Sequence, residues 1–442
     1  MDLLIEKGDS RTYLSQLKVL VTKFEEGAPA ITRNSTQIQG RNGNVDFGGW
    51  HTSKEIEVEG FYRADDLDEE TILRERLYAL LSDTDGFYIT EMRGELTPDF
   101  ERPGENEGNL YEQLTTRPSH KRFFVYAKSI EPELQGNIGG AVLYKLTMTF
   151  TTMKLPYGES VPRDLDVKPN VPYYGDNLYI DTENFNDPTA WYGWSSHSKT
   201  GEKYNGLTVM KSDSDWEGLA QTIQARKGET YTFSVYARYA GGTGNSNIYF
   251  RESKDSINTN IGSVLVSLDS TWKRVTGTVI ITDDGPIKAR IERTAYNTNT
   301  LLVAGMKLEK GTVATPWSPA PSDPGYNKWY LNTYYNTDNL VIPYAGTVPC
   351  SQLEQGFIVE FTAKQAGGNL VITLNGTEFK YNNQVYSDDV FKLSGYEYTK
   401  NGISVVKSTN KAYFKLLPGI TNKISSSPAG EIRILNFQNL YA

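Results

Sequence analysis

Hydrophobic and polar positions in the first third of the chain predict several strands and one helix. Residues 54–61 alternate Ile56 and Val58 with three glutamates, which is the spacing of a strand with one buried face. A helix is expected next, because an acidic run precedes four leucines at helical spacing. These leucines are Leu73, Leu77, Leu80 and Leu81. Residues 122–128 and 141–150 read as further strands, so this part is predicted to be α+β.

A polar stretch at residues 93–120, with prolines at 98, 103 and 118, interrupts these strands. Loops of this length in compact domains are usually functional or disordered. An arm that wraps a neighbouring subunit and an unstructured insertion are both open interpretations.

Two proline-rich stretches, residues 156–174 and 316–325, have the composition of linkers. The block between them shows short strands and Gly, Asn and Asp turns, which is typical of an all-β sandwich. The last block also predicts β structure, with hairpins at Asn375-Gly376 and Asn401-Gly402. The predicted domains are residues 1–165, 175–322 and 326–442.

Composition narrows the class of protein. The net charge of −9 over 442 residues argues against a nucleic-acid binder, which needs a basic stripe. Cys350 is the single cysteine, which excludes an intrachain disulfide and a cysteine zinc site. The N-terminal residues lack a signal-peptide pattern and no apolar run is long enough for a bilayer, so we expect synthesis in a cytoplasm and no membrane partner.

Enzyme motifs are missing from the sequence. The three histidines, His51, His120 and His197, are scattered, and neither a nucleophile elbow nor a phosphate-binding glycine loop occurs. We therefore expect no catalysis, no cofactor and no metal, although oxygen ligands at Asp181, Glu183 and Asp187 have a spacing that does not exclude calcium. A glycosidase needs only two carboxylates, so hydrolysis stays open as the alternative. Its candidates are Asp213, Asp215, Glu217, Asp283 and Asp284.

Three strands of the middle block alternate apolar residues with outward aromatic and charged ones. The outward set is Tyr236, Arg238, Tyr249, Arg251, Arg290 and Glu292. If these strands share one sheet, the set forms a surface suited to a sugar, because pyranose rings stack on aromatic faces and planar polar groups orient the hydroxyls. The alternative is that these are ordinary solvent-facing strand residues.

Tryptophans near strand or loop ends favour the binding interpretation. Trp191, Trp194 and Trp216 are assigned to the same carbohydrate site, because exposed tryptophan is unfavourable without a partner. Trp191 would equally fill the base of the sandwich, and a structural role is expected for Trp272 and Trp317.

Specific segments also resemble a known family. Residues 270–276 and 308–317 resemble the closing part of a carbohydrate-binding module found in phage tail proteins. Residues 346–349, 391–402 and 411–419 resemble a galectin-like C-terminal domain, and the N-terminal block resembles a belt domain. Together the chain resembles the distal tail protein of long, flexible-tailed phages of Gram-positive bacteria.

This resemblance implies a mostly β, multidomain fold: an α+β N-terminal belt domain, an inserted jelly-roll sandwich and a C-terminal galectin-like sandwich. It also implies a homo-hexameric ring at the tail tip of the virion, between the tail tube protein and a tail-associated lysin or receptor-binding protein. The implied ligand of the inserted module is host cell-wall polysaccharide or teichoic acid.

One departure concerns the galectin-like block. From residue 330 onward it has no histidine or tryptophan, and Arg433 is its single arginine. It is therefore expected to be a scaffold that lacks the residues with which galectins bind sugars. The predicted function is a structural hub that binds host wall saccharide through its middle module. A wall polysaccharide depolymerase and a purely structural tail adaptor are the alternatives.

Overall fold

The computed structural model describes residues 1–92, 120–169, 171–254, 257–335 and 340–442. The chain forms two compact units, Met1–Lys168 with Thr337–Ala442, and Pro169–Asn336. The possible arm at 93–120 lies, except for His120, outside the described residues. The division into 1–165, 175–322 and 326–442 stays a prediction.

The N-terminal part of the first unit is a seven-stranded antiparallel sheet with one helix. Its elements are β1 (Asp2–Lys7), β2 (Ser10–Tyr13), β3 (Val19–Glu26), β4 (Ile31–Gln37), β5 (Asn44–His51), β6 (Glu55–Ala64), α1 (Leu67–Leu81), β7 (Phe87–Met92), β8 (Phe123–Ile138) and β9 (Ala141–Thr152). The sheet order is β2-β1-β7-β8-β9-β6-β3, and β4 pairs only with β5. Strands β10 (Gly158–Glu159) and β11 (Arg163–Val167) follow.

The predicted helix is confirmed as α1. The Asp66 side chain caps its N-terminus by accepting a hydrogen bond of 2.7 Å from Glu69 N. Leu73, Leu77 and Leu81 are buried in one hydrophobic core with β6, whose Ile56 and Val58 are also buried. The strand predicted at 54–61 is therefore confirmed as part of β6, and those at 122–128 and 141–150 as parts of β8 and β9.

The second unit contains the predicted β-sandwich. Its strands are β12 (Ser198–Tyr204), β13 (Leu207–Ser212), β14 (Ile223–Ala225), β15 (Thr230–Tyr239), β16 (Gly244–Lys254), β17 (Ile257–Leu268), β18 (Lys273–Ile280), β19 (Gly285–Arg293) and β20 (Leu301–Lys310). One sheet has five strands in the order β12-β13-β20-β15-β18, and the other has four in the order β14-β19-β16-β17. Alternate residues of β15, β16 and β19 fill the core of this unit, including Phe233, Phe250 and Ile291.

The two ends of this sandwich are fastened to each other by buried polar groups. Asn177 is 1% exposed, and its Nδ2 donates to the carbonyls of Met306 and Ser318 at 3.1 and 3.0 Å. Its Oδ1 accepts from the backbone N–H groups of Tyr179 and Leu308. One carboxamide therefore links the segment entering the sandwich, its last strand β20 and the segment leaving it.

A buried lysine reinforces the same closure. The Lys307 side chain is fully buried, and its Nζ donates to Thr315 Oγ1 at 2.7 Å and to the Pro316 carbonyl at 2.9 Å. Glu309 accepts from Thr315 N at 2.8 Å and lies 3.6 Å from Lys307 Nζ. Burial lowers the pKa of Lys307 to about 8, and the nearby charge of Glu309 opposes that shift.

A helix, α2 (Tyr326–Tyr334), lies at the end of the second unit and corrects the expectation that the chain is all β from residue 326. Tyrosines four residues apart contact each other along it, with ring centroids 6.0 Å apart for Tyr326 and Tyr330 and 4.8 Å for Tyr330 and Tyr334. No residue of this helix is buried.

The C-terminal part of the first unit is a second β-sandwich. Its strands are β21 (Val341–Ile342), β22 (Cys350–Ser351), β23 (Ile358–Ala363), β24 (Leu370–Leu374), β25 (Thr377–Tyr381), β26 (Val390–Leu393), β27 (Tyr398–Lys400), β28 (Ile403–Ser404), β29 (Lys415–Leu416), β30 (Asn422–Ser427), β31 (Gly430–Phe437) and β32 (Leu440–Tyr441). The larger sheets run β11-β31-β23-β26-β27-β28 and β21-β30-β24-β25, and β10 pairs with β32. Residues 163–167 thus belong to the C-terminal sheet.

Both predicted hairpins of this sandwich are confirmed. Asn375 and Gly376 connect β24 to β25 with φ values of 50° and 83°. Asn401 and Gly402 connect β27 to β28 with φ values of 52° and 79°. Positive φ at both turn positions is the two-residue geometry that Asn-Gly favours. The mostly β, multidomain fold class is confirmed.

Replacing Asn177 tests the closure of the second unit. We expect Asn177→Ala to lower the free energy of unfolding of this unit by about 3 kcal/mol, because buried carbonyl and N–H groups lose their partner. Six of the seven tryptophans lie in Pro169–Asn336, with Trp50 outside it, so tryptophan fluorescence during urea unfolding of the full chain measures this unit. Asn186→Ala, at an exposed asparagine, is the matched control and should change stability by less than about 0.5 kcal/mol. Equal midpoints for the two variants would contradict the role of Asn177.

Lys307 gives a second, pH-dependent prediction. The pKa of Lys307 is lowered to about 8 by burial, whereas an unfolded lysine keeps its proton up to about 10.5. The unfolded chain therefore binds more protons between these values, and stability should rise with pH across this window by at most about 1.4 kcal/mol per pH unit. Urea unfolding at several pH values should show this slope in the native chain and in the exposed control Lys203→Met, and its loss in Lys307→Met. The same slope in Lys307→Met would contradict the assignment.

Candidate functional site

The outward residues of β15, β16 and β19, which were assigned to one carbohydrate-binding surface, lie on two different sheets. Strand β15 lies in the five-stranded sheet, whereas β16 and β19 are neighbours in the four-stranded sheet. The expectation that the three strands share a sheet is therefore wrong, and Tyr236 and Arg238 lie away from Tyr249, Arg251, Arg290 and Glu292. Alternation identifies the outward face of each strand, but long-range pairing decides which sheet the strand joins.

The outer face of the four-stranded sheet brings the second group together. Across β16 and β19, Tyr249 lies opposite Arg290, and Arg251 lies opposite Lys288. Each of these side chains is partly exposed, whereas their neighbours Ile248, Phe250 and Ala289 are buried in the core. Pairs directly opposite on one sheet face have their side chains in contact range. These residues therefore form a continuous patch, which we call the outer-face patch.

Arg290 is the centre of the outer-face patch. Its Nε donates to Glu292 Oε2 at 2.8 Å, and its Nη2 donates to the Trp216 carbonyl at 3.3 Å. The guanidinium carbon lies 5.1 Å from the Tyr249 ring centroid and 5.6 Å from that of Tyr192. Cation–π contacts of this kind fix the planes of the aromatic rings around the charge.

Trp216 stands at the border of this patch in an exposed loop. The side chain is half exposed, and its backbone has a φ of 61°, which is uncommon for a bulky residue. The loop is held by Arg293, whose Nε donates to Asp215 Oδ1 at 2.8 Å and whose carbonyl accepts from Trp216 N at 2.8 Å. Strained backbone held in place by its surroundings is a common property of binding sites.

Tyr192 and Lys288 also belong to the outer-face patch, although neither was predicted from the sequence to be a binding residue. Tyr192 is 42% exposed, pairs with Ala220 through the backbone, and places its ring 4.4 Å from Lys288 Nζ. Burial lowers the pKa of Lys288, and the charges of Arg251 and Arg290 lower it further. The alternation of β19, with Ile287 and Ala289 inward, already placed Lys288 on the same face as Arg290 and could have identified it.

Two assigned tryptophans face the interior. Trp191 is 5% exposed, with its ring centroid 5.0 Å from Phe185 and 6.0 Å from Tyr179, and Trp194 packs partly against the same core. The assignment of Trp191 to a ligand surface is corrected, because a ring inside the core cannot stack on a sugar. Its alternative role at the base of the sandwich agrees with this position.

Tyr236 and Arg238 occupy the outer face of the five-stranded sheet, where their partners come from the protein itself. Arg238 Nη2 lies 3.1 Å from both carboxylate oxygens of Glu202, and its guanidinium is 5.1 Å from the Trp272 ring. The Trp272 ring stacks on Tyr204 at 4.5 Å. Tyr236 and Trp317 pack against the same small apolar cluster, which includes Leu207 and Val209.

Metal and acid–base chemistry find little support among the described residues. Within them, no group of three or more His, Cys, Asp and Glu side chains is arranged to hold a metal ion. Asp181 Oδ2 accepts from Asp187 N at 2.7 Å, and Asp187 Oδ1 accepts from Thr189 N at 2.9 Å, so both are engaged within their loop. Asp215 pairs with Arg293, and Asp283 lies 3.2 Å from Lys254. His197 is partly buried beside the Gly193 carbonyl, and burial lowers its pKa.

Comparison with known proteins identifies the N-terminal part. Residues 8–150, about a third of the chain, match the family model described as a phage tail protein RIFT-related domain. This part of the chain is therefore similar to a phage tail domain. The resemblance to phage tail proteins stated from the sequence is thereby confirmed for the N-terminal block. No curated protein matches the chain.

Solved structures similar to the chain include a phage tail protein and carbohydrate-binding modules. The Dit protein of phage SPP1, described as a paradigm of the hub adsorption apparatus in phages infecting Gram-positive bacteria, matches with 8% identity and a TM-score of 0.41, covering 100% of this chain and 99% of that chain. The xylan-binding CBM22-1 domain of Paenibacillus barcinonensis Xyn10C matches with 11% identity and a TM-score of 0.27, covering 33% and 100%. The C-terminal family 22 carbohydrate-binding module of Clostridium thermocellum Xyn10B matches with 19% identity and a TM-score of 0.26, covering 32% and 100%.

In the part of the chain that the structure describes, the helices are too short or too polar to span a bilayer.

The position of the Trp216 loop depends on Gly218. A Cβ atom there would lie 2.3 Å from the Ile291 carbonyl oxygen and 3.0 Å from Arg290 Cδ, so Gly218→Ala must displace the loop or β19. We expect a loss of about 1–3 kcal/mol in unfolding free energy and faster amide hydrogen exchange at 213–218. Gly241→Ala, where a Cβ meets open space, is the control and should change neither quantity. Unchanged exchange in Gly218→Ala would show that the loop is not held by this contact.

Proposed function

We propose that the chain is a structural hub of a phage tail tip that binds host cell-wall saccharide through the outer-face patch of its second unit. The observation that carries this proposal is that two residues with exposed rings, Trp216 and Tyr192, both contact the guanidinium of Arg290, Trp216 through its carbonyl and Tyr192 through its ring. A contiguous exposed aromatic patch, unlike a single exposed ring such as Tyr296, is typical of an interaction site. A rigid aromatic surface beside fixed cationic groups is suited to recognition of a ligand.

The chemistry of the patch agrees with a sugar ligand. Pyranose rings present C–H faces that stack on tryptophan and tyrosine, and Trp216, Tyr192 and Tyr249 supply three such rings. Arg251 and Lys288 offer donors that would orient hydroxyl or charged groups, whereas Glu292, which was assigned to the site from the sequence, is buried and holds Arg290 from beneath. Because Arg290 and Arg293 hold the Trp216 loop, little order has to be created on binding.

Assembly would turn weak contacts into adhesion. In the proposed virion, six copies form a ring at the tail tip, between the tail tube protein and a tail-associated lysin or receptor-binding protein. Six tethered patches raise the effective concentration of each site near the wall, so that weak contacts add up to long retention. The C-terminal sandwich and the N-terminal sheet are assigned to the scaffold of this ring, and the chain is assigned no catalytic activity.

Single substitutions in the full chain test the proposal. Trp216→Ala and Tyr192→Ala should each weaken retention on purified Gram-positive cell walls about tenfold, because each removes an exposed stacking ring. The matched control is Tyr296→Ala, a fully exposed tyrosine of the same unit, which should bind as the native chain does. Pull-down with quantified unbound protein measures the change.

Other outcomes separate the alternative functions. If no wall preparation retains the native chain, the module is a structural spacer and the proposal fails. Release of soluble reducing ends from the walls would instead indicate a depolymerase. Retention that Trp216→Ala and Tyr192→Ala leave unchanged would place the site elsewhere on the chain.

A further inference from the structure

The outer-face patch carries an excess of positive charge that the protein does not neutralise. Arg251, Lys288 and Arg290 are neighbours on β16 and β19. Arg290 forms an ion pair with Glu292. Among the described residues, Arg251 and Lys288 have no carboxylate within ion-pair distance. This concentration of cations stands in a chain whose net charge is −9.

The arrangement is unfavourable for the protein alone. Arg251 and Lys288 lie directly opposite each other across two strands, and like charges in such pairs destabilise a sheet. Lys288 also lies against the Tyr192 ring, where burial, Arg251 and Arg290 all lower its pKa. An anion placed between the two cations would relieve this repulsion.

Unused hydrogen-bond donors point to the same ligand chemistry. Arg251 Nε and Arg290 Nη1 are both shielded from solvent and have no hydrogen-bond partner in the described structure. Buried donors without a partner are costly, and guanidinium groups favour the planar oxygens of carboxylates and phosphates. Neutral sugar hydroxyls would leave the charge of this group uncompensated.

We propose that the outer-face patch selects an anionic wall saccharide, in which a phosphodiester or carboxylate group lies between Arg251 and Lys288 while Trp216 and Tyr192 stack on sugar rings. This inference rests on the proposed function and adds to it the charge class of the ligand. Neutral polysaccharides are excluded as the main ligand, and binding depends on ionic strength, because charge attraction is screened by salt.

The test uses the full chain and purified cell walls from a panel of Gram-positive bacteria, each prepared in three forms. One form is native, one is treated with mild hydrofluoric acid to cleave phosphodiesters, and one has its carboxyl groups reduced to alcohols. At least one native wall should retain the chain, and retention should fall at least tenfold in one treated form. Loss after hydrofluoric acid identifies phosphate as the anion, and loss after reduction identifies carboxylate.

The variant Arg251→Gln with Lys288→Gln should lose at least tenfold in retention and most of the salt dependence, while its thermal midpoint stays the same or rises. The control, Lys199→Gln with Lys211→Gln, removes the same charge from exposed positions on β12 and β13 and should bind as the native chain does. Equal retention on all three wall forms, or by the Arg251/Lys288 variant, overturns the inference while leaving saccharide binding intact. Failure of the native chain to bind any wall overturns both.

Discussion

The second unit depends on one buried carboxamide. Asn177 joins three stretches of chain that are far apart in sequence, since it bonds to Tyr179, to Met306 and Leu308 on the last strand, and to Ser318 beyond it. A buried polar group is favourable only when its partners are all present. Burial of Asn177 is therefore favourable only when the sandwich is fully closed. The same hydrogen bonds fix the segments that enter and leave the sandwich.

That closure also supports the candidate site. Tyr179, which follows Asn177, exchanges two hydrogen bonds with the backbone of Ala289 through its hydroxyl, at 2.7 and 2.9 Å. Ala289 lies between Lys288 and Arg290 on β19, so the buried side of this strand is anchored where its exposed side carries the patch. Trp191 fills the core beside Tyr179 while its neighbour Tyr192 reaches the surface. The rigidity of the patch thus originates in the core beneath it.

Local spacing predicted much of the fold and only part of the site. Leucine periodicity identified α1, and Asn-Gly pairs identified two hairpins, because each signal lies within a few residues. The sheet assignment of Tyr236 and Arg238 failed because strand pairing between β15, β18 and β20 is set by residues distant in sequence. Trp191 was misplaced because a tryptophan near a strand end fits a core as well as a surface. Helix α2 was missed because its aromatic side chains contact one another and none of its residues is buried, so it lacks the leucine periodicity that identified α1.

The two ends of the sandwich lie together, and this affects how the unit can be exchanged in evolution. Gly175 N donates to Thr315 Oγ1 at 2.9 Å, and Ser318 Oγ donates to the Gly175 carbonyl, so the unit begins and finishes at one point. Because its two ends meet, the sandwich occupies the position of a long loop in the chain. The entropy cost of closing a loop changes only slowly with loop length. Under the proposed function, genetic exchange of this segment alone would change the saccharide that the protein binds, without redesign of the rest of the chain.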